Sequence, residues 1–163
     1  MVEDPSLSLN EWVVLALVGE QQAHGFALAR ELAPTSDLGR VLTVHRPLVY
    51  RALARLVEYD LSEPGDAGPK RRTHRITPKG RRARDRWLER PVDHVRDMRI
   101  EFLVKLRLNE RAGRNTSRLV AAQHAQLAAT LDRLEHEPPR DVVDRWRQHN
   151  AAAVRDFLAD LGG

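Results

Sequence analysis

Residues 61–76 differ in pattern from the rest of the chain and most limit the folds open to it. Two short runs, 61–63 and 72–76, are separated by Pro64-Gly65-Asp66-Ala67-Gly68-Pro69, which predicts strand, turn and strand. On both sides of this segment, apolar residues recur at helical spacing. We therefore expect a mainly α fold with one small β-hairpin.

Four helices are predicted around the hairpin, each with its own start or stop signal. Ser8 and Glu11 form a capping box at the start of the first helix, and Pro34 ends the second. Thr77 is an N-cap and Pro78 a first-turn proline for the fourth. We predict helices over about 9–18, 25–33, 47–59 and 78–89.

The segment after Pro91 is predicted to be helical throughout, so we place a domain boundary there, with domains 1–90 and 91–163. Its last helix has apolar residues in heptad-like steps, a pattern that suits packing against a partner helix. The second domain is thus a candidate dimerisation domain. The residues predicted to form its dimer contacts are Leu119, Leu127, Leu131, Leu134, Val143, Trp146, Ala153 and Phe157.

Positive charge is concentrated between Pro64 and Arg90. The whole chain has a net charge of +4, but this segment holds ten basic residues and three acidic ones. A local excess of this sign favours a polyanion such as DNA, RNA or an anionic membrane surface. An arginine-rich helix face that is simply solvated explains the same charges, and charge alone does not decide between the two.

The order of three helices, a hairpin and a fourth helix is that of a winged helix-turn-helix. In the third helix Val49, Leu53 and Leu56 share one side, while the polar residues point to the other, where arginine can bond guanine edges in a major groove. An ordinary surface helix with arginines is the alternative. The candidate DNA-binding residues are Arg46, Tyr50, Arg51 and Arg55 on the helix and Lys70, Arg71 and Arg72 on the hairpin.

Several segments, in their order and spacing, resemble the PadR-like family of bacterial transcriptional regulators. They are Ala23-His24-Gly25-Phe26-Ala27-Leu28, Leu48-Val49-Tyr50-Arg51-Ala52-Leu53-Ala54-Arg55-Leu56, Arg72-Thr73-His74-Arg75-Ile76-Thr77-Pro78-Lys79-Gly80, and Trp87-Leu88 followed by Glu101-Phe102-Leu103-Val104-Lys105-Leu106, the last as in the longer members. The chain departs from the family pattern at Arg46-Pro47, where a small residue is usual, and at Asp60, which replaces a glycine.

The resemblance implies a homodimeric regulator, usually a repressor, that binds an inverted repeat in double-stranded DNA. It also implies a small aromatic effector held between the wing domain and the dimerisation helices. Trp12 and Trp87 are the candidates for stacking on such an effector. Plain packing of tryptophan near a domain junction is the alternative.

Other classes of protein are disfavoured. The chain has no cysteine, no histidine pair at metal-ligand spacing and no nucleophile or phosphate-loop motif, so we expect neither an enzyme nor a metal or cofactor site. The longest apolar run, 12–18, is far too short for a membrane helix. The N-terminus lacks a signal-peptide profile, which predicts a cytoplasmic protein.

Two other binding proteins remain as alternatives. MarR-like regulators share the wing, but they place a dimerisation helix before it, whereas here the first helix begins within about ten residues of the N-terminus. A winged-helix module that docks proteins or RNA would show only weak DNA binding without sequence preference.

Overall fold

A computed structural model describes residues 6–65 and 72–162. Within them the chain forms seven α-helices, one 3₁₀ helix and three short strands, which confirms the predicted mainly α fold with a small β element. The chain divides into two compact units: the first ends at Leu88 and the second starts at Glu89. None of the helices in these ranges is long and apolar enough to cross a membrane.

The first unit has the element order of a winged helix-turn-helix. The elements are α1 Leu9–Glu20, β1 Ala23–His24, α2 Gly25–Glu31, α3 Arg46–Glu58, β2 Ser62–Pro64, β3 Thr73–Ile76 and α4 Pro78–Glu89. The observed helix ends lie within two residues of the predicted ones. Both predicted caps are present: Glu11 Oε2 accepts a 2.6 Å bond from the Ser8 backbone N–H, and Thr77 Oγ1 accepts a 2.9 Å bond from Gly80 N–H.

The sheet is antiparallel with strand order β1-β3-β2. Ser62 pairs with Ile76 in the hairpin, as its strand–turn–strand pattern indicates, while Ala23 pairs with His74 on the other edge of β3. The two-residue strand β1 was not predicted. It ties the chain just before α2 to the hairpin, so the base of the wing and the start of α2 share one sheet.

A close backbone approach joins the end of α3 to the start of α4. Asp60 adopts the left-handed conformation (φ 57°), which Asp tolerates better than most residues, and its carbonyl accepts a 2.7 Å bond from the Thr77 hydroxyl. A Cβ on Gly80 would lie 2.0 Å from the Leu61 carbonyl oxygen. Glycine at this position is therefore what allows α4 to lie against that backbone.

The second unit is helical. It contains a 3₁₀ helix, Val95–Arg99, followed by α5 Glu101–Arg111, α6 Ser117–His136 and α7 Val142–Gly162. Its core is built from residues of all four helices and from the segment before them. The buried residues of this core are Val92, Met98, Phe102, Leu106, Leu119, Val120, Leu127, Leu131, Ala151 and Leu158.

Two buried polar side chains fix the segment that enters the second unit. The Gln123 amide bonds both backbone groups of Val92, donating to its carbonyl at 2.9 Å and accepting from its N–H at 2.7 Å. The Lys105 ammonium donates to the Arg90 carbonyl at 2.9 Å and lies 2.7 Å from a Glu101 carboxylate oxygen. Burial lowers the pKa of Lys105, against the opposing effect of Glu101.

Candidate nucleic-acid interface

The two faces of α3 are those that its periodicity predicts. Val49, Ala52, Leu53 and Leu56 are buried, and Val57 is half-buried. The apolar face therefore fixes the rotation of the helix about its axis. The residues that this rotation leaves exposed are Arg46, Pro47, Leu48, Tyr50, Arg51, Ala54, Arg55 and Glu58.

Arg46 begins α3 and lies against two exposed aromatic rings. Its Cζ atom is 5.3 Å from the centre of the Phe26 ring and 5.7 Å from that of Tyr50, both within the range of a cation–π contact. The first turn of α3 contains no acidic residue, and no described carboxylate pairs with Arg46. Because a helix N-terminus itself carries partial positive charge, this end of α3 suits an electronegative partner.

The position of the Tyr50 ring explains the glycine at the start of α2. A Cβ on Gly25 would lie 2.7 Å from Tyr50 Cε1 and 2.9 Å from its Cζ. Only a residue without a side chain leaves the ring in place. Gly25 and Tyr50, which are 25 residues apart in sequence, are thus coupled by contact at the outer surface.

Arg51 and Arg55 lie on the same exposed face but have different surroundings. Arg55 Nε is 3.4 Å from Glu11 Oε1, and Arg55 Nη2 donates a 2.8 Å hydrogen bond to the Tyr59 hydroxyl. Arg51 forms no hydrogen bond or ion pair within the described ranges. The guanidinium of Arg51 is therefore available to an external acceptor, whereas that of Arg55 is already bound within the chain.

The base of the wing is held by hydrogen bonds on both sides of β3. Gly65 N–H donates to the Thr73 carbonyl at 2.8 Å, the Gln22 amide donates to the Thr73 hydroxyl at 2.6 Å, and Arg75 pairs across the strands with Glu63 at 2.8 Å. Arg72, at the start of the returning strand, is exposed. Lys70 and Arg71, which we predicted for the wing tip, lie outside the described residues.

His74 lies on β3 between the two other strands of the sheet. Its imidazole Nδ1 is buried and has no hydrogen-bond partner among the described atoms. Burial lowers the pKa of His74 below its usual value, and the neighbouring positive charge of Arg72 lowers it further. The wing therefore contains a neutral histidine that resists protonation.

Comparison with known proteins identifies this region. The sequence model of the transcriptional regulator PadR-like family matches residues 14–86, which run from α1 through the wing into α4. Residues 14–86 form a PadR-like domain. The family is one of transcriptional regulators and not of enzymes, in agreement with the missing catalytic motifs.

Two solved PadR structures are similar to this chain. The crystal structure of Bacillus subtilis PadR in complex with operator DNA shares 16% identity, covers 94% of this chain and 97% of that chain, and has a TM-score of 0.46. The structure of the same protein in complex with p-coumaric acid shares 14% identity, covers 96% and 100%, and has a TM-score of 0.48. No curated protein sequence matches this chain.

The two tryptophans considered for an effector lie inside the first unit. Trp12 and Trp87 stack on each other with ring centres 5.6 Å apart and planes 2° from parallel. Only 6% of Trp12 and 1% of Trp87 is exposed. Each indole is thus the packing partner of the other, and a ligand could stack on either only after the pair separates.

The residues predicted for dimerisation divide into two groups. Leu119, Leu127 and Leu131 are buried in the core of their own unit, so they cannot contact a second copy without rearrangement of that unit. In the single chain these three leucines pack within their own unit, and their part in a dimer contact stays a prediction. The others are accessible: Val143, Trp146 and Ala153 are exposed, and Leu134 and Phe157 are half-buried.

All of the accessible members except Val143 line a groove of about 860 Å³ in the second unit. Its apolar walls include Leu103 and Leu134 with Trp146 and Phe157 of α7, and four arginines lie around it. Trp146 is 67% exposed, an unusual position for so large an apolar side chain. The arginines are Arg96, Arg99, Arg133 and Arg147.

Across residues 6–65 and 72–162, no three histidine, aspartate or glutamate side chains are grouped closely enough to hold a metal ion.

Proposed function

We propose that the protein is a sequence-specific DNA-binding regulator whose α3 enters the major groove. The observation that carries this proposal is the exposed face of α3. Arg46, Tyr50 and Arg51 project from it, and the buried residues on the opposite side hold the helix in that rotation. Arginine can bond the O6 and N7 atoms of guanine in pairs, and a helix of this kind fits the width of the groove.

The wing supports the same assignment by a different contribution. Arg72 is exposed immediately before β3. Contacts from such residues go to phosphates, which position the protein on DNA and make its binding depend on salt, but do not read sequence. Each arginine lost from the wing should therefore reduce the slope of log binding constant against log salt concentration by about one.

The proposal includes a homodimer formed through the second unit. Val143, Trp146, Ala153 and Phe157 advance along α7 in steps of three, seven and four residues, as in a helix seam. None of them is fully buried in the single chain, and all but Val143 line the groove, whose walls are partly apolar. A second copy of the same α7 provides the same apolar stripe, so a two-fold interface covers both at once.

A dimer presents two α3 helices, and we infer that it binds an inverted repeat whose half-sites lie about one helical turn apart. Because a dimer seated on promoter DNA excludes other proteins from it, we infer repression.

A small aromatic effector, implied by the family resemblance, completes the proposal. Effector binding is tested by titrating the protein with phenolic acids and following tryptophan fluorescence. In a Trp146→Phe control, the remaining signal comes only from Trp12 and Trp87 of the first unit.

The function as a whole is tested by selecting bound duplexes from a randomised DNA pool and sequencing them. We expect enrichment of one inverted repeat. Retention of DNA without enrichment would contradict sequence-specific binding and would favour a module that docks proteins or RNA.

A further inference from the structure

Phe26 is an exposed aromatic residue that neither the core nor the interface described above requires. Of its surface, 48% is accessible, although the neighbouring Leu28 of the same helix is almost completely buried. Its ring is the nearer of the two that lie against the Arg46 guanidinium, at 5.3 Å from Cζ. The His24 ring also meets the Phe26 ring edge-on, with centres 6.4 Å apart.

The rings of Phe26 and Tyr50 restrict the side chain of Arg46, whose backbone is already held in the first turn of α3. Pro47 follows Arg46 and fixes its own φ in the first turn of α3, so the backbone here is rigid. The arginine side chain has many rotamers of similar energy, and it loses that freedom on binding. Contacts with Phe26 and Tyr50 remove part of the freedom before any ligand is present.

The contacts leave the donor groups of Arg46 available. An aromatic ring attracts a guanidinium through its negative π face, whereas the guanidinium donates its N–H groups within its own plane. No described carboxylate occupies those donors. The arrangement therefore presents an oriented, unneutralised pair of donors beside the exposed residues of α3.

We propose that Phe26 is a positioning residue for base recognition: with Tyr50, it holds Arg46 so that its guanidinium bonds one guanine in each half-site. This inference rests on the proposed function, since it requires that α3 read a major groove. Guanine is the base whose edge offers two adjacent acceptors to a paired donor. A phosphate would accept the same donors, but it would confer no preference among bases.

The test measures binding of the full chain to its selected duplex and to every single-base variant of that duplex. With Arg46→Ala we expect the preference for guanine at one position of each half-site to fall from roughly 5- to 150-fold to about one. Phe26→Leu should lower the preference several-fold at the same position, whereas Phe26→Tyr, which keeps the ring, should retain it. Adding Phe26→Leu to Arg46→Ala should cause no further loss.

Tyr59→Leu is the matched control, because it removes the ring beside Arg55 at the other end of α3. It should leave the preference for that guanine unchanged. Circular dichroism and thermal unfolding show whether each variant folds as the parent does.

Several outcomes would overturn the inference. Uniform weakening of all duplexes by Arg46→Ala would assign Arg46 to a phosphate, and an unchanged preference in Phe26→Leu would remove Phe26 from the reading mechanism. In both cases the parent still selects its repeat, so the proposed function stands. If the parent selects no repeat, the proposed function and this inference fall together.

Discussion

The Arg55 guanidinium stacks over the ring of Tyr59, one helical turn away, with its Cζ 4.9 Å from the ring centre. The same guanidinium donates to the Tyr59 hydroxyl and lies beside Glu11 of α1. Arg55 is therefore held by contacts within the first unit, although it lies on the exposed face of α3. We expect it to contribute to folding stability, whereas we expect Arg51 to contribute to DNA binding.

Arg55→Ala should reduce folding stability by about 0.5–1 kcal/mol, the scale of an exposed ion pair with a cation–π contact. It should reduce operator affinity less than Arg51→Ala does. Glu11→Gln is the matched variant, because glutamine still completes the capping box with Ser8 but no longer attracts Arg55 by charge. Thermal unfolding of both single variants and the double variant should show losses that do not add, and additive losses would contradict the pairing.

Gly25→Ala should disturb the outer surface more than the fold. The new methyl group would meet the Tyr50 ring, which is 45% exposed and can swing away, so stability should change by less than about 1 kcal/mol. Operator affinity should fall about five-fold, or about 1 kcal/mol, because Tyr50 and the Arg46 stacked on it are displaced.

Gly80→Ala is the control for Gly25→Ala. Its methyl group would meet the backbone carbonyl of Leu61, which cannot move without the adjoining strand β2. It should therefore destabilise the unit by about 1–3 kcal/mol. Equal stability losses in the two variants would show that the Tyr50 ring is not free to move.

Much of the first unit could be predicted because its signals are local. The capping box of Ser8 and Glu11, the N-cap Thr77 and the left-handed Asp60 each depend on neighbouring residues. The rotation of α3 follows from a single apolar face. These features need no knowledge of which distant segments meet.

The features that were missed depend on distant contacts. Strand β1 has only two residues, too few to show the alternation of apolar and polar residues that predicts a strand. It forms because it pairs with β3. The stacking of Trp12 on Trp87 and the pairing of Arg55 with Glu11 join segments that are distant in sequence. No sequence pattern shows that these segments lie close together in the fold. In α6, the same leucine spacing suits a partner helix or the core of its own unit, so the sequence alone could not show that Leu127 is buried within the single chain.

The half-buried imidazole of His74 predicts loss of stability in acid. Its folded-state pKa is lowered by burial and by Arg72, so below about pH 6.5 the unfolded chain binds a proton that the folded chain does not. Stability from this group is complete above that pH and is lost as the pH falls toward the lowered value, by at most about 1.4 kcal/mol per pH unit.

This loss of stability can be measured by denaturant titration of the parent and of His74→Phe between pH 7.5 and pH 5. The near-ultraviolet signal of the tryptophans reports unfolding. The variant should lose less stability than the parent over that range. Parallel pH profiles would show that His74 titrates alike in both states.

Trp146→Glu should weaken the proposed dimer. Truncating or charging a large aromatic at the centre of an interface commonly costs 2 kcal/mol or more, which is at least about a 30-fold rise in the dimer dissociation constant. Sedimentation velocity over a concentration series measures it. Leu161→Glu, an exposed apolar residue of α7 outside the groove, should change the constant little. Equal effects of the two substitutions would contradict a dimer formed at the groove.

Competition binding between the selected duplex and a scrambled duplex of the same composition, at one fixed salt concentration, tests the central claim most directly. The parent should prefer the selected duplex by roughly 10³-fold or more. Arg51→Ala should reduce that ratio by roughly 5- to 150-fold, the equivalent of about 1–3 kcal/mol of base readout. A parent ratio near one, or a ratio that Arg51→Ala leaves unchanged, would contradict recognition of DNA sequence by the exposed face of α3.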